Sequence, residues 1–413
     1  MDVLDIAVIG TGGRAGAHFA TIPKLTRHFR LTAVADLDIA RARAVADAHG
    51  VSAFADPVEM LDTVKPHVIL IAVPPEGHHV LVAQAAERGI HAVSETPMSF
   101  SLACAQRMLD DAERHGTLLE VSENVRRWPM ERLKRRIVDS GALGDVTQIH
   151  CWYGSGMYHG ISAIRNIAAA EATQVIGHAH NVRMAASRWF DPFTRRSAGE
   201  HPGTVTAPSG AAGDPSLVTW ELGVTTFANG VTSTHQYPIG GVRGNHWETH
   251  LTAGEFVAND IYEVVDGERR RLDVETLYSD GSNGRGIDAL RVETSAGEVL
   301  WENPHRSYPL ADADDVARAD VLLSVHAAAT EGRDLDYGGI GGYRDMEMMI
   351  AARESTLAGN AAVPLPANGA PLYDEIQHAE YARRYGHDPL DLQTSEKWTQ
   401  EAAIASEIVA GGS

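Results

Sequence analysis

Ile6-Ala7-Val8-Ile9-Gly10-Thr11-Gly12-Gly13-Arg14-Ala15-Gly16 runs from a short apolar stretch through a glycine turn into a segment of helical pattern. In this order Gly10 permits a tight turn, Gly12 lets a phosphate approach the backbone, Gly13 and Arg14 open the helix, and Ala15 takes the third small position. The helix N-terminus then offers unpaired N–H groups to an anion. Asp36 closes the next apolar run, where a carboxylate accepts both hydroxyls of an adenosine ribose. Leu37 beside it supplies no cation for a 2′-phosphate, so NAD is expected over NADP, and Arg41 is the residue that argues the other way.

Outward from this turn, strand-length apolar runs at 6–9, 31–35, 68–73, 91–94 and 118–121 alternate with helical stretches at 15–25, 39–49, 57–63, 78–88 and 102–115. Apolar runs without polar alternation imply strands covered on both faces, and helical spacers supply the crossovers of a parallel sheet. The expected fold class is α/β, with a doubly wound Rossmann sheet over residues 1–125. Farther on, a helix at 129–140 precedes alternating segments at 146–152, 182–189, 217–227, 231–236, 248–251, 260–265 and 289–292. These predict an α+β domain over 126–370 with a large open, mainly antiparallel sheet. Helices are expected at 314–330 and 341–359, a long loop at 197–216, and a helical C-terminal extension over 371–413 that could wrap a partner subunit.

The chain has 413 residues, 44% hydrophobic and 22% charged, an ordinary globular composition that excludes long disorder as its main character. Asp and Glu number 55 against 35 Lys and Arg, a formal charge of -20 and the wrong sign for nucleic acid or an anionic membrane surface. Only Cys104 and Cys151 occur, too few for a disulfide framework or a multi-Cys metal site. No apolar run reaches the roughly 18 residues of a membrane span, and no signal-peptide pattern opens the chain, so a cytoplasmic location is expected. Alternating Trp220, Leu222, Val224 and Thr226 give the sheet a face to bury, from which a homodimer or homotetramer is expected.

Further motifs follow the strand ends: Val73-Pro74-Pro75-Glu76-Gly77-His78, Ser94-Glu95-Thr96-Pro97 and Asn124-Val125-Arg126-Arg127-Trp128-Pro129, with Gly141-Ala142-Leu143-Gly144-Asp145-Val146 entering the second domain. With Gly10 to His18 they make the chain resemble the Gfo/Idh/MocA oxidoreductases, relatives of glucose-fructose oxidoreductase and inositol dehydrogenase. The resemblance implies a Rossmann domain, an open sheet used for oligomerisation, NAD or NADP, and a sugar, polyol or related substrate. Two positions depart from it. The family's Glu-Lys-Pro lysine, which lies beside the nicotinamide and the substrate hydroxyl, is Thr96 here, and a hydroxyl is no acid or base near neutral pH. In the family's Asp-x-x-x-His motif His159 fits the histidine, but Ser155 stands where the carboxylate belongs. These losses resemble the NAD-dependent glycosidases, in which transient oxidation of a ring hydroxyl drives elimination and the cycle is redox-neutral.

The candidate catalytic residues are therefore His159, whose imidazole titrates near working pH, with Tyr158 and Thr96. Gly10, Gly12, Gly13, Arg14, Ala15, Asp36, Pro74, His78, Glu95 and Asn124 are the expected cofactor contacts, and Arg127 and Tyr153 the substrate contacts. No metal site is expected, because His178 and His180 have no carboxylate near them in sequence. The leading expectation is an NAD-dependent oxidoreductase acting on a hydroxyl of a polyhydroxy compound. The alternatives are a redox-neutral glycosidase or lyase, and a catalytically silent NAD-binding scaffold.

Overall fold

In the computed structural model, which describes residues 3–152, 157–183, 217–237, 246–281 and 284–392, the chain divides into two units. The first comprises residues 1–123, 318–344 and 376–413, and the second 124–317 and 345–375. This division differs from the one expected at 125 and 370 in that residues 318–344 and those from 376 onward count with the N-terminal sheet.

The first unit is built on six strands: β1 (Leu4–Ile9), β2 (Phe29–Ala35), β3 (Ser52–Phe54), β4 (Val68–Ile71), β5 (His91–Ser94) and β6 (Leu119–Val121). They lie in the order β3-β2-β1-β4-β5-β6, parallel throughout. The strand order reverses between β1 and β4, which is the switch point of a doubly wound sheet, with ligands expected at the carboxyl ends. Every residue of β4 and residues 6–9 of β1 are buried, as strands covered on both faces must be. Five helices link them: α1 (Gly13–Thr21), α2 (Ile39–His49), α3 (Pro57–Val64), α4 (His78–Ala86) and α5 (Leu102–His115). Their ends follow local chemistry. The Asp38 side chain caps α2 by accepting from the amides of Ala40 and Arg41, Ser101 caps α5 by accepting from that of Cys104, and Gly116 at φ 64° ends α5 in the left-handed region.

The second unit starts with α6 (Pro129–Ser140), which has proline in its first turn and Gly141 at φ 67° after its last, where the sequence places both ends. Then come β7 (Val146–Trp152), α7 (Met157–Ala168), β8 (Ala172–Arg183), β9 (Leu217–Phe227), β10 (Thr232–Tyr237), β11 (His246–Leu251), β12 (Gly254–Val257), β13 (Asp260–Val265) and β14 (Glu268–Leu272). A hairpin pair, β15 (Val274–Gly281) and β16 (Gly284–Thr294), continues into β17 (Gly297–Glu302) as a separate three-stranded sheet. Of the later elements, the long helices α8 (Ala313–Glu331) and α9 (Gly338–Leu357) and the helix α10 (Leu372–Tyr385) each have residues in both units, and the short β18 (Val363–Pro364) belongs to the second. The large sheet has nine strands in the order β14-β13-β12-β11-β7-β10-β9-β8-β18. It is mixed, because β10 runs parallel to β7 while its other neighbours pair antiparallel.

Burial alternates along the central strands: Ile149, Cys151, Trp247, Thr249, Thr225 and Phe227 point inward. Gly177 of β8 lies so near α9 that a Cβ there would sit 1.7 Å from the Ala352 carbonyl oxygen, so only glycine fits. Trp220, Leu222 and Val224 are half-buried and Thr226 is exposed, so the face expected to need cover is the open one. The strand expected at 182–189 is displaced: β8 occupies 172–183, and the remainder lies outside the described residues, as does the loop expected at 197–216.

Candidate active site

Gly10 turns the chain at φ 90°, and a Cβ there would stand 2.3 Å from the Ala72 carbonyl oxygen. No other residue makes this turn without moving β4. Gly12, the extended residue before α1, has no side-chain cap, and a Cβ on it would meet nothing closer than the Arg41 Nη1 at 3.9 Å. A Cβ on Gly13 would meet nothing. The amides at the start of α1 therefore open onto space, as a diphosphate cradle requires. Ala15 is fully buried, where a small side chain lets the helix lie close to the sheet.

Asp36 stands just past the end of β2. Its Oδ2 accepts from the Thr11 amide at 2.7 Å and the Thr11 hydroxyl at 2.6 Å, and its Oδ1 accepts from the Asp38 amide at 2.9 Å. The carboxylate is thus fixed against the glycine turn. The Arg41 guanidinium approaches Asp36 at 3.9 Å and is half-exposed. These residues fit a dinucleotide: donors for the diphosphate, a carboxylate for the ribose, and a turn with no side chain in the way.

Glu95 follows β5. Burial would push its carboxyl up, but the hydrogen bond from His18 Nε2 at 2.5 Å and the charge of Arg14, whose Nε lies at 2.9 Å, outweigh burial and draw it down to about 2. The Glu95 carboxylate is ionised at neutral pH, and it also accepts from the Thr96 amide at 3.2 Å. Thr96 and Pro74 are half-buried at the carboxyl ends of their strands. His78 is wholly buried. Its Nε2 lies 2.8 Å from the Val73 carbonyl oxygen and its Nδ1 3.0 Å from the Ser94 hydroxyl and 3.1 Å from the Met98 carbonyl oxygen. Burial lowers its pKa, so the neutral ring has one N–H and donates to only one of these two carbonyls; with Nε2–H on Val73 its Nδ1 accepts from the Ser94 hydroxyl, which ties the segment after β4 to the end of β5, and the ring has no exposed edge for a cofactor.

In the second unit Asn124 is buried and donates from Nδ2 to the Asp314 Oδ1 at 2.7 Å, an oxygen that also accepts from Trp128 Nε1 at 2.6 Å. Arg127 is 1% exposed. Tyr158 and His159 open α7, the tyrosine buried and the histidine half-buried, with ring centroids 6.2 Å apart and nearly perpendicular. Tyr153 and Ser155 lie outside the described residues. His178 and His180 are exposed on β8, and His178 accepts from Asn360 Nδ2 at 2.6 Å. Among the described residues no three His, Cys, Asp or Glu side chains are grouped to hold a metal, and no helix is long and apolar enough to cross a membrane. Burial pushes the Cys151 thiol up to about 12, so it is no nucleophile.

Spacing alone did not single out Thr11 or His18. Both sit in the quoted turn and helix, His18 one turn beyond Arg14, and the signal that was available is that i, i+4 spacing.

Residues 4–123 match the family described as an oxidoreductase family with an NAD-binding Rossmann fold, Gfo/Idh/MocA. Inositol 2-dehydrogenase of Rubrobacter xylanophilus is 29% identical over 333 residues, covering 75% of this chain and 89% of that enzyme. Inositol 2-dehydrogenase 1 of Saccharopolyspora erythraea is 27% identical over 206 residues, 45% of this chain, and the match spans only 61% of the relative's own length. Among solved structures, a levoglucosan dehydrogenase in complex with NADH and levoglucosan superposes with a TM-score of 0.63 at 19% identity, covering 88% of this chain and 100% of the other. That last likeness is one of fold.

Proposed function

Through residues 4–123 the chain belongs to the Gfo/Idh/MocA family of oxidoreductases, and from that premise we propose an NAD-dependent enzyme acting on a hydroxyl of a sugar, polyol or similar polyhydroxy compound. The observation that carries the reading is Asp36 fixed by Thr11 against the open Gly12–Gly13 turn at the sheet's switch point. The inositol 2-dehydrogenases among its relatives support a polyol as substrate class. A bound NAD supplies a hydride acceptor for the carbinol carbon.

The chain's own residues do the rest. Asp36 would accept the adenosine ribose hydroxyls, and its charge would repel a 2′-phosphate. The first amides of α1 would hold the diphosphate, and the Arg14, His18 and Glu95 group fixes the rim on which Thr96 stands. Thr96 keeps its proton at neutral pH, so the hydroxyl proton would need another acceptor, and His159 is the residue proposed on sequence grounds to take it as the carbinol C–H bond gives its hydride to NAD and a carbonyl forms. Tyr158, packed edge-on to His159, orients that ring. Pro74 borders the cofactor, and His78 holds the segment behind it. On sequence grounds Asn124 would be a further cofactor contact, and Arg127 and Tyr153 substrate contacts, with Tyr153 outside the described residues. The setting of this reading is a cytoplasmic homodimer or homotetramer. The test is incubation with NAD and a panel of polyols and aldoses, read by formation of the reduced nicotinamide; no reduction across the panel counts against it.

A further inference from the structure

The segment from Glu95 to Ser101, which joins β5 to α5, is held from two sides within the first unit. On its inner side His78 Nδ1 lies 3.1 Å from the Met98 carbonyl oxygen. On its outer side the C-terminal residues 376–392 lie against it. Phe100 stacks on Tyr381 with ring centroids 5.4 Å apart and an interplanar angle of 3°, and both rings are buried with Cys104. The Ser101 hydroxyl lies 2.9 Å from His378 Nε2. His79 Nε2 donates to the Pro389 carbonyl oxygen at 2.8 Å, and the His79 ring lies 6.0 Å from Phe100. Three separate residues of the C-terminal stretch thus meet the Phe100–Ser101 corner and its neighbour His79.

We propose that residues 376–392 are a strap that positions the Glu95–Ser101 segment, with Tyr381 as its central positioning residue. The inference rests on the functional reading above only for its consequence. In a doubly wound sheet β1 to β3 serve the adenosine half of a dinucleotide and β4 to β6 the other half, so the segment after β5 borders the nicotinamide. Glu95 is tied to α1 through His18 and Arg14, but Thr96 to Ser101 belong to no helix or strand between the end of β5 and the start of α5. Without the strap, Phe100 would lose its stacked ring and Ser101 its imidazole partner. The displacement would be passed to Thr96, four residues before Phe100, where misplacement by about 1 Å is enough to cost a large factor in rate. His79 remains a neutral donor near neutral pH, because burial draws its pKa down to about 4, so the Pro389 contact does not depend on pH in that range.

The experiment uses the full chain with Tyr381→Phe, which keeps the stack, Tyr381→Leu, which keeps apolar burial without it, and Tyr381→Ala. Amide hydrogen exchange is followed over residues 96–104, and calorimetry compares NAD with ADP-ribose, which shares the adenosine and diphosphate but lacks nicotinamide. The strap predicts that Leu and Ala variants exchange faster in 96–104 and bind NAD about tenfold more weakly, with ADP-ribose unchanged within about twofold, while the Phe variant behaves as the parent. Unchanged exchange, equal loss of both ligands, or a Phe variant as impaired as Leu would overturn it. If the parent binds neither ligand the functional reading fails, and the exchange data still decide whether the strap orders the segment.

Discussion

His18 Nε2 lies 2.5 Å from Glu95 Oε1, with both side chains buried in the first unit. Arg14 meets the same oxygen, so one carboxylate binds a face of α1 to the end of β5. Arg14 is 40% exposed and its share is screened by water, whereas removal of the carboxylate leaves the His18 imidazole buried without an acceptor. Glu95→Ala is expected to cost about 1–3 kcal/mol, and Glu95→Gln less, because an amide oxygen still accepts. Urea unfolding checks this; identical midpoints for parent and Glu95→Ala would contradict it.

Cofactor choice follows from Asp36. With Thr11 holding its Oδ2, the carboxylate is fixed where a 2′-phosphate would stand, and NAD is expected to bind at least about tenfold more tightly than NADP. Asp36→Ser should narrow that ratio, since Arg41 then stands near the ribose without an acidic neighbour at that position. Equal affinities in the parent protein, measured by calorimetry, would sink the assignment.

Acid weakens the fold through histidines before carboxylates. Burial draws His79 and His235 down to about 4 from an ordinary 6.5. Between those values the unfolded chain binds more protons than the folded one, so stability falls as pH falls through the window, by about 1.4 kcal/mol per pH unit for each histidine. Glu95, drawn down to about 2, adds its loss only below the ordinary carboxylate value of 4.5. Denaturation midpoints should be level above about pH 7 and decline from pH 6.5 to 4.5. A flat profile over that range would show that these imidazoles are not held neutral.

The large sheet leaves Trp220, Leu222 and Val224 half-buried and Ile176 40% exposed on one side. Pairing that face with a second copy covers it, so light scattering is expected to report a dimer or tetramer, and Trp220→Glu to shift it toward single chains. A parent protein that stays a single chain at micromolar concentration would contradict this.

What sequence made legible was decided by periodicity. The runs that became β1, β2, β4, β5 and β6 are continuous and apolar because helices cover both faces, and the ends of α6 were marked by Pro129 and Gly141. Several strands escaped it: β12, β14, β15, β17 and β18 match none of the expected runs, and neither do β3 and most of β8. β3 has three residues, none of them buried, at the edge of its sheet, and β8 alternates Gln174, Ile176, His178 and His180 with Val175 and Gly177, too little apolar side chain for a period to stand out. The parallel pairing of β7 with β10 depends on their order in space, which alternation does not encode. At the site, spacing pointed to Gly10, Gly12 and Asp36. The partners that fix the acidic groups, Thr11 on Asp36 and His18 on Glu95, join positions brought together only by the finished sheet.

The most direct test of the functional account is a reduced-nicotinamide assay on the purified chain, with NAD and a panel of polyols, aldoses and glycosides, run for the parent and for His159→Ala. The account predicts that the parent forms reduced nicotinamide in step with oxidised polyol, and that His159→Ala loses turnover while NAD affinity stays within about twofold, because the proposed diphosphate and adenosine-ribose contacts come from the Gly10–Ala15 turn and Asp36. Glycoside cleavage without net reduction would instead mark a redox-neutral cycle. A chain that binds NAD but changes no member of the panel, with His159→Ala indistinguishable from the parent, would contradict it outright.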